Sequence, residues 1–344
     1  MEDEKRSFNK FRIRNLKLKN FKVFDDFEIE FPPPQMKNDP DVMVIGSANG
    51  LGKTSILEAC AILLYCGLQQ ERLVLPNFFI RAGTTNAQIK GTFEYNEQSY
   101  EITVDLKKNH PPIQKGIFKF LYMEHTSAFT LGRVLPKRFL NSLMGLSSDP
   151  IVLPLFIYLH SYRKIHEEKP ELSAMFDKNY DPNGMKQTSL FKREILNALM
   201  GSANLVEQFS SDDAADVLSK LNELLKQYAK VSIGKIRIMK DNAVDLRITP
   251  SKGGESFSFD ALSSGQKEII SSLFLLWHYT KDKPSIVLID EPELHLNVKW
   301  HRNFLQQATK IAPNNQYIIA THSEDIASSV EKHQCRLIVP DDEA

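Results

Sequence analysis

The eight residues SANGLGKT at positions 47–54 form a glycine-rich run that ends in a lysine and a hydroxyl residue. Consecutive backbone N–H groups in such a loop can surround a polyphosphate, and the start of a following helix adds a favourable partial charge. The amino group of Lys53 would reach the β- and γ-phosphates, and the Thr54 hydroxyl would be a ligand of Mg²⁺. The nucleotide-binding candidates in and beside this loop are Ser47, Asn49, Gly50, Gly52, Lys53, Thr54 and Ser55.

This loop departs from the standard phosphate-loop pattern at its first position. Ser47 stands where that pattern has glycine, and the glycine comes one residue earlier, at Gly46. Because serine adopts most loop conformations, we expect the loop to tolerate it at some cost in nucleotide affinity. The alternative is a glycine-rich turn between a strand and a helix that binds no ligand.

Two carboxylates follow the apolar run at residues 285–289. Such a run is typical of a buried strand, and ligands of α/β sheets bind at the carboxyl ends of parallel strands. Asp290 would hold Mg²⁺, and Glu291 would polarise the water that attacks the terminal phosphate. Without a phosphate loop in the same chain, these carboxylates would equally suit the N-terminal cap of a helix.

Two further segments place polar residues at the ends of predicted elements. The run LSSGQ at 262–266 opens a predicted helix, whose free N–H groups can bind an anion. The candidates in this run are Ser263, Ser264, Gly265 and Gln266. The alternative for this run is an ordinary serine N-cap. His322 follows a predicted buried strand and could contact the terminal phosphate, although a lone histidine is more often structural.

Periodicity predicts the elements that carry these residues. Alternating apolar and polar residues predict a hairpin at 13–31 that turns near Asp25 and Asp26, and a second at 88–106 that turns at Asn96 and Glu97. In the last third of the chain, helices alternate with buried apolar strands, which predicts a mostly parallel sheet. The predicted elements elsewhere are helices at 55–68, 212–228, 266–279 and 298–311 and strands at 41–45, 231–239, 243–249, 285–289, 316–320 and 336–339.

Composition limits the class of protein. The 344 residues include 43 basic and 43 acidic side chains, so the net charge gives no support for binding nucleic acid. Three cysteines without a CxxC pair suit reduced thiols and disfavour a disulfide framework or a zinc site. The charged first residues lack the apolar core of a secretory signal, and no stretch approaches the roughly 20 apolar residues of a membrane span. We expect a soluble cytoplasmic protein that does not contact a membrane.

The four motifs, in this order, resemble those of the ABC-type ATPase heads of the RecF, SMC and OLD families. The matching segments are the phosphate loop at 47–54, the signature at 262–266, the carboxylate strand at 287–291, a loop at 294–297 and the switch histidine His322. The resemblance implies an α/β fold of the P-loop NTPase class, with a mixed N-terminal β-subdomain, a parallel core sheet, an inserted helical lobe and no long coiled coil. It also implies one bipartite head with an N-terminal lobe at 1–110, a helical insertion at 111–230 and a C-terminal lobe at 231–344.

ATP and Mg²⁺ are the cofactors that the resemblance implies. The residues it carries over are Glu291 and His322 as catalytic residues and Thr54 and Asp290 as metal ligands. In these families ATP joins two heads and hydrolysis separates them, so Ser264 and Gly265 of one copy would contact the nucleotide held by Lys53 of another. The loop that senses Mg²⁺ and water would contain either Gln88 or a residue near 160–163.

Two absences narrow the resemblance. The span between Lys53 and Gly265 is too short and too rich in proline for long coiled-coil arms. Only PDDEA follows the last predicted strand, so we expect no nuclease domain of the OLD type. The run DEPELHL resembles stand-alone ATPase subunits of bacterial anti-phage systems such as Septu, PARIS and retron-linked modules. We therefore expect a homo-oligomeric ATPase that controls a separate effector protein, a nuclease or a toxin.

Two other functions stay open. One is a RecF-like ATPase of DNA repair or replication, in which Lys17, Lys19 and Lys22 contact DNA phosphates; the alternative for these lysines is a solvated strand face. The other is a scaffold that binds ATP without turnover. Glu291 argues against a scaffold, because a carboxylate that activates water serves no purpose in a static clamp.

Overall fold

The computed structural model describes residues 11–36, 39–48, 50–68, 75–117, 136–153, 155–163, 189–202, 211–239, 243–294 and 296–339. The strands in these ranges are β1 (Arg12–Phe21), β2 (Phe24–Glu30), β3 (Asp41–Ser47), β4 (Asn86–Tyr95), β5 (Gln98–Lys107), β6 (Ile113–Lys115), β7 (Ile151–Leu153), β8 (Phe156–Leu159), β9 (Val231–Ile238), β10 (Val244–Pro250), β11 (Phe257–Ser258), β12 (Ile286–Asp290), β13 (Gln316–Thr321) and β14 (Cys335–Ile338). The helices are α1 (Lys53–Leu68), α2 (Pro136–Leu143), α3 (Leu190–Ser202), α4 (Ser211–Ala229), α5 (Ser264–Thr280), α6 (Val298–Ile311) and α7 (Glu324–Ala327).

The chain divides into two compact units. The first unit comprises residues 1–161, 279–294 and 298–344, and the second comprises residues 162–278 and 295–297. No helix among the described residues combines the length and the apolar character that a membrane span needs.

A six-stranded sheet in the order β14-β3-β13-β12-β8-β7 lies in the first unit. Its neighbouring strands are parallel except for β7 and β8, which are antiparallel. Strands β12 and β13 are buried along their whole length, and β3 is buried except at Ser47. Burial on both faces explains why these strands are continuous apolar runs in the sequence. The predicted α/β fold with a parallel core sheet is confirmed.

An antiparallel sheet in the order β2-β1-β4-β5-β6 also belongs to the first unit. Buried and exposed residues alternate along β1, β4 and β5, as expected for strands with one face on the core. Helix α1 packs against β4 and β5 of this sheet and against β3, β12 and β13 of the parallel sheet. All residues of α1 except Thr54 are buried, which explains why its sequence is apolar on every side.

The second unit contains α3, α4, the antiparallel sheet β11-β10-β9 and most of α5. Helix α4 packs against α3 and β9. Its buried residues Val217, Leu221 and Leu224 recur at helical spacing, so one face of α4 is apolar as predicted.

The first hairpin turns at Lys22 and Val23, so the predicted turn near Asp25 and Asp26 is wrong. Lys22 has a left-handed φ of 49°, and its N–H donates to the carbonyl of Phe79 at 3.0 Å. A long-range contact therefore sets this turn, whereas the aspartates suggested a turn by residue type alone. The second hairpin turns at residues 96–97 as predicted.

The compact units do not follow the predicted lobe boundaries at 110/111 and 230/231. Strands β7 and β8, within the predicted helical insertion, join the core sheet through β12. The segment 262–266 belongs to the second unit, whereas the carboxylates after β12 belong to the first. Strand pairing between distant parts of the chain decides which segments pack together, and lobe boundaries drawn from sequence order do not record it.

Candidate nucleotide-binding site

Three neighbouring parallel strands bring the predicted loop, carboxylates and histidine to one edge of the sheet. β13 lies between β3 and β12, with Thr321 opposite Gly46 and Ala320 opposite Asp290. Since parallel strands end on the same side, the segments that follow β3, β12 and β13 meet there. Three motifs that are far apart in the sequence thus form one site within the first unit.

The amino group of Lys53 is held inside this site. Its Nζ donates to the carbonyl and the Oγ of Ser47, both at 3.0 Å, and to the carbonyl of Ala48 at 3.1 Å. It also lies 3.2 Å from Nδ1 of His322. Burial lowers the pKa of Lys53 below its ordinary value, and the charges of Glu291, then Asp290 and Glu293, oppose that shift. The lysine is oriented by hydrogen bonds and surrounded by carboxylates.

Ser47 takes part directly in this arrangement. A glycine at position 47 would offer only its carbonyl, whereas the serine hydroxyl accepts a second hydrogen bond from Lys53 and donates to the carbonyl of Ala48 at 2.8 Å. Serine in place of glycine at position 47 therefore gives the Lys53 ammonium group one more hydrogen-bond acceptor.

Gly52 occupies a position that only glycine fits. Its φ is +90°, and a Cβ there would lie 2.6 Å from side-chain atoms of both Val23 and Phe24. Gly50 has a φ of +84° with open space around it. The tip of the first hairpin thus packs directly on the phosphate loop. Asn49 lies outside the described residues, and Ser55 is buried within α1.

Thr54 and Asp290, the two predicted metal ligands, are in direct contact. The Thr54 hydroxyl donates to both carboxylate oxygens of Asp290 at 3.1 Å, and Asp290 is 0% exposed. A hydroxyl and a buried carboxylate are the hard oxygen donors that Mg²⁺ prefers, with phosphate oxygens and water completing the shell. The residues present therefore fit Mg²⁺ bound together with a nucleotide.

Glu291 begins a tight turn directly after β12. Its N–H donates to the carbonyl of Ala320 at 2.8 Å, and its carbonyl accepts from the N–H of Leu294 at 3.1 Å. Its φ is 46°, a left-handed conformation that costs a residue with a side chain of order 1 kcal/mol and that clusters at functional sites. These two hydrogen bonds hold the backbone of Glu291 in this unusual conformation.

The ring of His322 lies between the lysine and this carboxylate. Its Nε2 is 3.4 Å from Oε1 of Glu291, on the other side of the ring from Lys53. If the ammonium group of Lys53 donates to Nδ1, the ring proton of a neutral His322 is on Nε2 and faces Glu291. The predicted pair of catalytic residues, Glu291 and His322, is therefore brought together.

Glu293 is a residue of this site that the sequence reasoning missed. Its Oε1 accepts a hydrogen bond from the N–H of His322 at 2.7 Å, and its Oε2 accepts one from the Thr321 hydroxyl at 2.8 Å. The only signal in the sequence was a second acidic residue two positions after Glu291.

A second missed feature is a buried ion pair beneath the phosphate loop. Glu58 lies one turn after Thr54 in α1 and pairs with Lys22 at the hairpin tip. Burial raises the pKa of Glu58 and the charge of Lys22 opposes this shift, while Asp290 adds to it. The Lys22 ammonium also lies 5.3 Å from the ring centre of Phe79. This pair ties the hairpin to the helix that carries Thr54.

In the second unit, Ser263 caps α5. Its Oγ accepts from the N–H of Gln266 at 3.3 Å, while Oε1 of Gln266 accepts from the N–H of Ser263 at 3.2 Å, which is a reciprocal capping box. The capping alternative thus holds for Ser263. Among the described residues, the structure shows no capping hydrogen bond from the side chain of Ser264, which is exposed. Gly265 is buried.

The two candidates for the loop that senses Mg²⁺ differ in their surroundings. Gln88 lies on β4 and donates to Asp105 on β5 at 2.6 Å, on the exposed face of the antiparallel sheet. His160 follows β8, whose last residue lies opposite Ile289 of β12. His160 therefore follows a strand adjacent to the one that ends in Asp290.

Two of the three lysines considered for DNA contact form ion pairs with acidic residues, and the third lies across the hairpin from one. Lys17 pairs with Glu28 at 2.8 Å on the exposed face, and Lys22 pairs with the buried Glu58. Lys19 lies opposite Asp26 in the register of the hairpin. These pairings favour the solvated strand face over a phosphate-contacting edge.

Comparisons with known proteins identify a family and several relatives. Residues 156–328 match the family described as "AAA domain, putative AbiEii toxin, Type IV TA system". The chain is 23% identical over 319 residues to the Septu protein PtuA of Bacillus mycoides, covering 90% of this chain and 38% of that protein. It is 22% identical to the protein named "Retron Ec83 probable ATPase" of Escherichia coli (95% of this chain and 71% of that protein covered). It is 26% identical over 141 residues to the protein named "Retron Vc95 probable ATPase" of Vibrio cholerae (38% and 27% covered). The chain thus spans well under half of the length of PtuA and of the Vibrio protein.

Solved structures share the fold. An SMC head bound to the C-terminal winged-helix domain of ScpA superposes with a TM-score of 0.54 at 16% identity, with 92% of each chain covered. The recombination mediator protein RecF superposes with a TM-score of 0.51 at 13% identity, with 96% of this chain and 97% of RecF covered. At these identities the likeness shows the fold alone, which is that of an SMC- or RecF-type ATPase head.

Proposed function

We infer, from the premise that this chain belongs to the AAA-domain family matched by residues 156–328, that it binds ATP with Mg²⁺ and hydrolyses ATP to ADP and phosphate. The observation that carries this proposal is the ring of His322, which lies 3.2 Å from Lys53 and 3.4 Å from Glu291. A phosphate-binding cation and a base for water are thereby held on either side of one imidazole. A structural turn has no need of that arrangement.

Each residue has a distinct task in this proposal. Lys53 and the backbone N–H groups of the loop hold the β- and γ-phosphates. Thr54 and Asp290 hold Mg²⁺, which neutralises charge on the phosphate oxygens. Glu291 accepts a proton from the attacking water, and His322 orients Glu291 and approaches the γ-phosphate.

Two substitutions test hydrolysis separately from binding. Lys53→Ala removes the cation and is expected to abolish ATP binding, measured by titration with a fluorescent ATP analogue. Glu291→Gln keeps the size of the side chain but not its basicity, so ATP binding should persist while phosphate release falls by about 10²-fold or more. Hydrolysis by Glu291→Gln at the wild-type rate would show that Glu291 does not activate the water.

We also propose that two copies pair head to head around ATP. Ser263 and Ser264 are exposed at the start of α5 and are therefore accessible to a second molecule. In such a pair, Ser264 of one copy contacts the nucleotide bound by Lys53 of the other. The resulting homo-oligomer would form with ATP and separate after hydrolysis.

Mixing two inactive variants tests this pairing. Ser264→Arg blocks the contact with the partner's nucleotide, and Lys53→Ala removes the nucleotide itself. A mixed dimer still contains one intact site, formed by Lys53 of the first variant and Ser264 of the second. The mixture should therefore hydrolyse ATP although neither variant does alone. An inactive mixture, with ATP-dependent dimers also absent in sedimentation, would exclude pairing through Ser264.

We further propose that the ATPase acts in the cytoplasm as part of an anti-phage defence system and controls a separate effector, a nuclease or a toxin. The names of two retron ATPases and of PtuA among its relatives support this role. Co-expression with the products of adjacent genes, followed by purification with and without ATP, tests it. Two results together would argue against this role. The chain would purify without a partner both with and without ATP, and cells would be equally sensitive to phage with and without the locus.

A further inference from the structure

Glu293 links the loop after β12 to the loop after β13. Its two carboxylate oxygens accept separate hydrogen bonds, one from the N–H of His322 and one from the hydroxyl of Thr321, at 2.7 and 2.8 Å. The Thr321 oxygen in turn accepts from the N–H of Ser323 at 2.9 Å. The backbone on both sides of His322 is therefore held by one carboxylate and the threonine that it contacts.

This contact restrains the backbone of His322. β13 ends at Thr321 and α7 begins at Glu324, so His322 lies between two elements. Charge-assisted hydrogen bonds to a carboxylate are about twice as strong as neutral ones. Glu293 itself is restrained, because the preceding Pro292 has a fixed φ and the turn is closed by the bond from Leu294 to Glu291.

We propose that Glu293 is a positioning residue for ATP hydrolysis, acting through the backbone of His322; this rests on the ATPase function proposed above. Its carboxylate keeps the imidazole between Lys53 and Glu291, which are 3.2 and 3.4 Å from the ring. Displacement of a catalytic group by about 1 Å is enough to cost about 10²-fold in rate. Glu293 touches neither the phosphates nor the water in this proposal.

The first test separates kcat from KM. Glu293→Ala is expected to lower kcat by about tenfold to a hundredfold, the effect expected from loss of the charge-assisted hydrogen bond to the N–H of His322, with the KM for ATP changed by less than about threefold. Glu293→Gln keeps an acceptor for the N–H of His322 and should retain more activity than the alanine variant. Glu324→Gln is the matched control, since it removes the charge of an exposed glutamate two residues after His322.

The second test measures the contact itself. Labelling with ¹⁵N-histidine gives nine backbone amide signals, and His322→Gln identifies the one from His322. In Glu293→Ala the His322 amide proton should move upfield, because it loses a charged acceptor, whereas Glu324→Gln should leave it in place. Thr321→Val should lower kcat in the wild-type background and have a smaller effect in Glu293→Ala, because the two side chains act through one hydrogen bond.

The outcomes distinguish this inference from the function on which it rests. If the wild-type protein does not hydrolyse ATP, the proposed function fails, while the amide signal still reports whether Glu293 holds His322. If the wild type is active and Glu293→Ala and Thr321→Val both keep kcat within about twofold, the inference is overturned. If Glu293→Ala does not fold, Glu293→Gln and Thr321→Val provide the test, because they keep the shape of the side chains.

Discussion

Replacing Lys22 by methionine tests how firmly the first hairpin is tied to the helix of the phosphate loop. Glu58 is 6% exposed and its cationic partner is Lys22, whose ammonium also lies 5.8 and 5.3 Å from the ring centres of Phe78 and Phe79. Methionine keeps the apolar stem of the lysine and removes only its charge. The substitution therefore leaves a buried carboxylate without the cation that compensates it.

The expected loss of stability is about 3.5 kcal/mol. Removing one partner of a buried ion pair costs about 3–5 kcal/mol, and the lost contact with the aromatic rings adds about 0.5–1 kcal/mol. The Lys22 side chain is 24% exposed, so water partly solvates the pair and the lower end of the range applies. Replacing both residues, as in Lys22→Met/Glu58→Met, should restore most of the stability, because no buried charge then remains.

The loss should depend on pH. Burial raises the pKa of Glu58 and Lys22 lowers it, so Lys22→Met raises this pKa further. A carboxyl group whose pKa is higher in the folded than in the unfolded state contributes stability that is complete below the unfolded pKa and is lost as pH rises through the folded pKa. The deficit of Lys22→Met relative to wild type should therefore be smallest at acid pH and grow as pH rises above the unfolded-state pKa of glutamate, about 4.3.

Urea unfolding followed by tryptophan fluorescence measures this deficit. The chain has two tryptophans, and a Trp277→Phe background leaves only Trp300, which lies on α6 in the same unit as Lys22. Lys17→Met is the matched control, because its pair with Glu28 is exposed (52% and 46%) and should contribute nothing measurable. Equal midpoints for Lys22→Met and wild type, or a deficit that is larger at acid pH, would refute the reasoning.

Three further predictions concern the phosphate loop and the metal. Ser47→Gly removes one acceptor that competes for Lys53 in the absence of nucleotide, so ATP should bind about twofold to tenfold more tightly in a titration, and weaker binding would contradict this. Asp290→Asn should raise the Mg²⁺ concentration that half-saturates ATP hydrolysis by at least about tenfold, because a charged ligand becomes neutral, and an unchanged midpoint would remove Asp290 from the metal site. Gly52→Ala should destabilise the protein by about 2 kcal/mol or more in urea unfolding, since its Cβ would lie 2.6 Å from Val23 and Phe24. Gly50→Ala is the control: its Cβ would meet open space, so it should cost only about 1 kcal/mol of backbone strain.

The chemistry of the site could be predicted because it depends on short segments of the sequence. A lysine and a threonine that follow a glycine-rich loop, and carboxylates that follow an apolar strand, have their roles set by what comes directly before and after them in the chain. Helix α6 begins and ends at the predicted residues 298 and 311, because its apolar period repeats over several turns. The roles of Lys53, Thr54, Asp290 and Glu291 could therefore be predicted from the sequence alone, and the structure shows that these residues lie near one another.

Tertiary structure alone decided which segments meet. Lys53 and His322 are 269 residues apart and touch only because β13 pairs with β3, and nothing in the pattern of either strand specifies its neighbour. The same holds for the hydrogen bond between Glu293 and the N–H of His322 and for the ion pair between Lys22 and Glu58. In the sequence each carboxylate looks like an ordinary surface charge, and only tertiary packing places it against its partner. Hydrophobic periodicity shows which face of an element is buried, but the order of strands in a parallel sheet depends on crossovers and core packing across the whole chain.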